Sequence, residues 1–168
     1  MHIYKKIILF LFLILPFKAY GENKLAYLDL DHLLSKINAG KIVFKQLKDN
    51  EEIKKETFIN KEKQLKDEEN KILASRNIIS EKQLDINIKE FQTKLRDYRN
   101  FKSKELEKLD QIRNDEIVKL LSIVNPIIQE YMKKNSISFL MNKSNIYIAD
   151  KNFDITNNLI ELINKKIK

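Results

Sequence analysis

Lys41-Ile42-Val43-Phe44 through Leu121-Ser122-Ile123-Val124 is a run of 84 residues without a glycine or a proline. It carries 20 Lys+Arg and 17 Asp+Glu, and Leu, Ile, Gln and Asn fill most of the remainder. That is the composition of long helices, with too few apolar residues for a core of their own. One local break divides the run. Asn77-Ile78-Ile79-Ser80 interrupts the charge-rich pattern, and Ser80-Glu81-Lys82-Gln83 reads as a capping box. In that motif the Ser80 hydroxyl accepts from the Gln83 amide, and the Gln83 side chain reaches back. One helix is expected to end near Arg76 and another to begin at Glu81. The stretches 34–77 and 81–124 are each 44 residues long. Equal lengths on either side of a turn near 77–80 suit an antiparallel helical hairpin, each arm about 66 Å long at about 1.5 Å per residue. A single continuous helix is the alternative.

The two halves differ in quality. Leu84, Ile88, Phe91, Leu95 and Tyr98 step by 4, 3, 4 and 3, which is a heptad seam. It shifts after Tyr98 and resumes from Leu106 to Val124. In the first half Phe44, Phe58, Leu65 and Ile72 lie at multiples of seven, but the alternate slots are mostly Lys, Glu and Ser. Such a helix pairs along one narrow stripe.

The flanks are more globular. Residues 24–30 read as a strand, and Asp31 as the cap of a helix beginning at His32. Gly40 inside that helical stretch implies a kink or a close backbone contact. Pro126 ends or kinks the long helix, or opens a new turn of it. Ile137–Met141 and Ile146–Ala149 read as two strands of a hairpin about the turn cluster 142–145. Asp154-Ile155-Thr156 offers caps for a last helix, with Leu159, Ile160, Leu162, Ile163 and Ile167 on its buried face. The expected fold class is α+β: a small β-sheet oligomerisation body (22–40 and 125–168) carrying a long antiparallel helical hairpin, a coiled-coil tentacle (41–124). A body of that size is small for independent stability, so oligomerisation is expected.

Residues 1–21 read as a secretory signal peptide. Lys5 and Lys6 precede the apolar run Ile7–Phe17, and Ala19-Tyr20-Gly21 places small residues for cleavage between Gly21 and Glu22. An uncleaved anchor is the alternative, but a spanning helix wants about 20 apolar residues. The whole chain of 168 residues carries +8. The leader holds three lysines and no acid, so the mature chain carries 8 − 3 = +5.

Composition excludes much chemistry. With no cysteine there is no disulfide scaffold, thiolate zinc site, cysteine nucleophile or lipoprotein anchor. Two histidines and two glycines leave no His-rich metal site and no Gly-rich phosphate loop. Carboxylates such as Asp67-Glu68-Glu69 lie among lysines on helices too thin to enclose anything, so they read as solvated faces. Asp29 and Asp31 beside His32 read as caps and a surface histidine. The arm nets only 20 − 17 = +3 with interspersed signs, unlike a basic phosphate-binding face. No enzyme, cofactor or metal is expected, and no nucleic acid as physiological partner.

The order of parts resembles the Skp/OmpH family of periplasmic chaperones. Asn125-Pro126-Ile127-Ile128, Glu130-Tyr131, Asn135-Ser136-Ile137-Ser138, Lys143-Ser144-Asn145-Ile146 and Asp154-Ile155-Thr156 are similar to that family's closing segment. Ile79-Ser80-Glu81 running into Lys89-Glu90-Phe91-Gln92 is similar to its hairpin tip. The resemblance implies a homotrimer whose bodies join through their strands. Its arms would enclose a cavity that holds unfolded outer-membrane β-barrel proteins, without ATP, metal or catalytic residue, in the periplasm. Lipopolysaccharide or a membrane surface is a further candidate contact. Well-known members are strongly basic, and this mature chain is only modestly so. Phe44, Phe58 and Phe101 are the candidate client contacts. Phe91 and Tyr98, on the heptad stripe, read rather as seam packing. A structural coiled-coil spacer or adaptor of the cell envelope is the competing reading, and the weak seam of 41–76 counts against it.

Overall fold

A computed structural model describes residues 24–167. The expected leader and its cleavage site at Gly21 and Glu22 lie outside the described residues. The elements are β1 (Lys24–Leu28), α1 (Leu30–Lys36), α2 (Asn38–Ser75), α3 (Glu81–Lys134), β2 (Ile137–Asn142) and α4 (Thr156–Lys166), with two short 3-10 turns between β2 and α4. β1 and β2 pair in parallel, Leu25 opposite Phe139 and Leu28 opposite Asn142. The hairpin of α2 and α3 is therefore the crossover between two neighbouring strands.

The core sits where this crossover returns. Leu33, Leu34 and Ile37 meet Leu120, Val124, Ile127 and Ile128 of α3, Leu159 and Ile163 of α4, and Ala26 and Leu28 of β1. β2 adds Ile137 and Leu140 at the margin, and the first and last described elements close on one another. A polar contact locks that closure. The Thr156 hydroxyl, itself buried, accepts from the Asp29 amide at 2.9 Å and donates to Asp154 Oδ1 at 2.5 Å. Asp154 Oδ1 also accepts from the Thr156 amide at 2.9 Å, a turn just before α4, whose cap position is held by Ile155 without a side-chain cap.

Several expectations need correction. Asp29, not Asp31, caps α1, accepting from the His32 amide at 3.0 Å. The strand stops at Leu28, which leaves Asp29 free to turn. The first long helix breaks at Ile37, whose extended backbone separates α1 from α2. Ile37 is buried in the core, and the break turns it inward. The turn between the arms behaves as expected: α2 ends at Ser75, α3 starts at Glu81, and Ser80 Oγ accepts from the Gln83 amide at 3.3 Å. The Gln83 side chain does not reach back, however. It donates to Asn87 at 3.0 Å, one turn further on.

Pro126 neither ends the helix nor opens a new one. α3 runs through it for a total of 54 residues. A proline inside a helix costs about 3 kcal/mol. Val124, Ile127 and Ile128 are buried on either side of it, and full burial of such side chains contributes about 1.5–3 kcal/mol each. Tertiary packing outweighs the local penalty. The helix then ends at Asn135, and Ser136 takes the left-handed conformation (φ 57°) that turns the chain into β2. The second strand expected at Ile146–Ala149 is absent. β2 pairs with β1 rather than with its own continuation, and the other side of β1 is occupied by the 154–155 segment through Ile155 N–H to Tyr27 O at 3.0 Å. Ile146–Ala149 thus has no strand partner among the described residues.

Two substitutions test this root. A Cβ on Gly40 would sit 1.7 Å from the Leu34 carbonyl oxygen, so the glycine permits the close approach of α2 to α1. Gly40→Ala should destabilise by about 1–3 kcal/mol, the reverse of the gain expected in an ordinary helix interior. A raised urea midpoint would contradict the close approach. Thr156→Val keeps the shape but leaves the Asp29 amide without its acceptor. It should cost about 1–3 kcal/mol in the same measurement, and an unchanged midpoint would show that the lock contributes nothing.

Candidate functional site

α2 and α3 face each other along the arm with residue numbers rising on one as they fall on the other. Glu51 pairs with Arg113, Lys54 with Glu105, Glu62 with Lys102 at 2.8 Å and Glu68 with Lys94 at 2.6 Å. Between these rungs the apolar seam is thin. In α2 beyond the body, only Leu47 and Phe58 are buried. The alternate slots that the sequence fills with Lys and Glu are bridged by charge instead of packed.

The candidate aromatic residues fall in different places. Phe44 is half-buried at the root of the arm and packs on the body's core. Phe58 and Phe101 lie together in the middle of the arm. Their rings meet edge to face with centroids 6.2 Å apart. Phe58 is 7% exposed and Phe101 half-buried. Lys102 lies over Phe58 at 5.5 Å and Lys61 over Phe101 at 4.9 Å, each contributing a cation–π contact. The structure brings these two together and leaves Phe44 elsewhere. Tyr98, on the seam, donates its hydroxyl to Glu62 at 2.6 Å.

The electrostatics follow from these pairs. The Lys102 ammonium, and then the Tyr98 hydroxyl, hold the Glu62 carboxyl below the usual glutamate range. Lys54 does the same for Glu105. Glu62 in turn holds Lys102 above its usual value. Burial first, and the bond to Glu62 second, push the Tyr98 phenol up. The lowered carboxylates support the arm above the usual glutamate range, and that support is lost as the pH falls through their lowered values. The raised ammonium supports the arm at every pH below the usual lysine range, and that support is lost as the pH rises through its raised value. Glu62 and Lys102 are solvent-exposed and Glu105 only partly buried, so screening keeps the contribution small at neutral pH.

Among the open grooves of the described residues, three hold most of the apolar and aromatic side chains at issue. One of about 390 Å³ lies beside the aromatic pair, lined by Lys61, Leu65, Lys94, Asp97, Tyr98 and Phe101. A second of about 280 Å³ lies at the tip among Ile72, Leu73, Arg76, Leu84, Ile88 and Phe91. Ile78 projects from the turn itself, 83% exposed. The third, about 400 Å³, is on the body and mostly apolar, between Leu25, Tyr27, Met141, Ile146, Tyr147 and Phe153. Tyr147 is fully exposed and Ile148 is 85% exposed, with Phe139 and Leu25 beside them on the paired strands. Sequence reasoning missed the exposed apolar side chains of the tip and of 146–149. The signal for the second was present in its unbroken apolar run, Ile146-Tyr147-Ile148-Ala149, which the hairpin expected with Ile137–Met141 accounted for within the chain. Among the described residues, no cluster of three or more His, Cys, Asp or Glu side chains could hold a metal ion. No described helix is long and apolar enough to cross a membrane.

Comparison with known proteins now adds to this geometry. The family described as outer membrane protein (OmpH-like) matches residues 24–163, nearly all of the described chain. A crystal structure described as that of an OmpH-like outer membrane chaperone, from Caulobacter crescentus CB15, superposes with a TM-score of 0.72. The match covers 86% of this chain and 85% of that one at 16% sequence identity, so it is a likeness of fold. No curated protein sequence matches. The strand-bounded body, the long charged hairpin and the family match over both together lead to one conclusion: the chain belongs to the OmpH-like outer membrane protein family.

Proposed function

We propose that the chain is an ATP-independent periplasmic holdase chaperone. It binds unfolded outer-membrane β-barrel proteins in a cavity formed by helical arms and prevents their aggregation. The observation that carries this reading is the arm itself. α2 alone extends about 57 Å, and beyond the body its surface offers mixed charge, open grooves and scattered exposed apolar side chains such as Ile42, Ile53 and Ile59. A surface of that kind suits many weak contacts with a chain that has no fixed shape. Phe44, Phe58 and Phe101 are our candidate contacts for that chain. The likeness to a protein described as a chaperone supports the same reading.

The cavity requires more than one copy. The apolar face formed by Leu25, Phe139, Met141, Tyr147, Ile148 and Phe153 is exposed in the single chain, and contiguous apolar patches of this kind mark interaction surfaces. We assign it to contact between bodies in a homotrimer, with the three arms projecting from one end. The chain reaches the periplasm through the cleaved leader 1–21.

Two measurements test this function. A urea-unfolded outer-membrane β-barrel protein, diluted into buffer with residues 22–168, should scatter less light than alone, saturating at about three chains per client for a closed trimer. Unchanged scattering with a folded, helical sample would remove the holdase reading and leave the envelope spacer as the working account. Multi-angle light scattering should give the trimer mass for the wild type and the single-chain mass for Tyr147→Ser/Ile148→Ser. Both replaced side chains are exposed in the single chain, so its folding should be unaffected. A wild type that stays a single chain at all concentrations would contradict the assignment.

A further inference from the structure

The middle of the arm carries a contradiction that points to a mechanism. Phe58 and Phe101 are the strongest apolar groups of the shaft, yet in the closed arm they are spent on each other and covered by Lys61 and Lys102. We propose that α2 and α3 part between root and tip, and that the aromatic pair is offered to the client in the parted state. This deepens the holdase reading and rests on it.

The geometry sets where parting is easy. At the root, Leu120 and Val124 are locked into the body's core. At the tip, the chain itself joins the helices through the 76–80 turn. Between them, Phe58 is the one fully packed side chain of α2 from Lys48 to Ser75. The remaining polar cross-links there are Glu51–Arg113, Lys54–Glu105, Glu62–Lys102, Tyr98–Glu62 and Glu68–Lys94, all exposed except the partly buried Lys54–Glu105. Solvent-exposed ion pairs are individually weak and screened by salt. Segments with few buried contacts open locally at small cost while the rest of the fold stays closed. The closed arm keeps Phe58 buried, and Phe101 half-buried against it, when no client is present, while only scattered aliphatic side chains stay exposed.

The charged cross-links act as latches, so removing them should favour opening without touching the aromatic pair. In the mature protein, Glu62→Gln/Glu105→Gln should raise amide hydrogen exchange about fivefold over residues 54–65 and 95–105, with the root around Leu120–Ile128 unchanged. Raised salt should move the wild type in the same direction. Exchange that is unchanged, or that rises equally along the whole chain, would overturn the proposal. The second arm closes the zipper by force. Lys54→Cys/Glu105→Cys, joined by a short bis-methanethiosulfonate linker, should require about fivefold more protein for the same suppression of client scattering. Reductant, which cuts the linker, should restore the capacity. A tethered protein that holds client as well as its reduced form would overturn the proposal. So would a reduced form that holds less client than the wild type. If the wild type itself holds no client, the holdase reading falls, and the exchange measurement still decides whether the arm parts.

Discussion

The parallel pairing of β1 with β2 is the contact on which the rest of the structure depends. It sets Lys24–Leu28 beside Ile137–Asn142, more than a hundred residues away in the chain. Parallel neighbours always require a crossover, commonly a helix of a dozen residues or so. Here the crossover is the whole hairpin. Loop-closure entropy grows slowly with length, by only about 0.6 kcal/mol for each doubling, and α2 and α3 are stiffened by their own backbone hydrogen bonds. A very long excursion is therefore tolerated, provided that the root is firm. The core around Leu33, Val124, Leu159 and Ile163, and the Thr156 hydroxyl between Asp29 and Asp154, supply that firmness.

The arm follows a different economy of contacts. Its helices are held by a thin stripe, with charge pairs filling the slots where a stable coiled coil would place leucine. That is poor design for a rigid spacer, which gains from dense packing along its whole length. It suits a surface that must stay soluble while presenting apolar groups sparsely. The apolar face of the body is the converse case. Its exposed residues lie together around one groove, whereas those of the shaft are scattered around the helices.

Much of this was legible in the sequence, and the failures have a common cause. The run without glycine or proline, the Ser80 cap and the equal stretches on either side marked the hairpin and its turn, because helix periodicity and capping are local. The α4 face was legible for the same reason: Leu159 and Ile163 are its most buried residues. What failed was decided by partners distant in sequence. Pro126 reads locally as a boundary, but the burial of Val124, Ile127 and Ile128 carries the helix through it. Ile146–Ala149 reads as a strand, but β2 takes β1 as its partner. Asp29 and Asp31 are equally good caps on local grounds, and the end of the strand at Leu28 selects the first. For the candidate contacts, spacing set Phe101 apart from the stripe. No local pattern could show that it meets Phe58 edge to face across the arm.

The account stands most directly on what each surface touches. A photo-reactive benzoylphenylalanine placed at Phe101, and separately at Tyr147, would report this when the protein is irradiated with an unfolded β-barrel client. The account predicts that the arm position joins to the client and that the body position joins to a second copy of the chain. A client kept soluble with no adduct from the arm, or an adduct to client from Tyr147 alone, would contradict it.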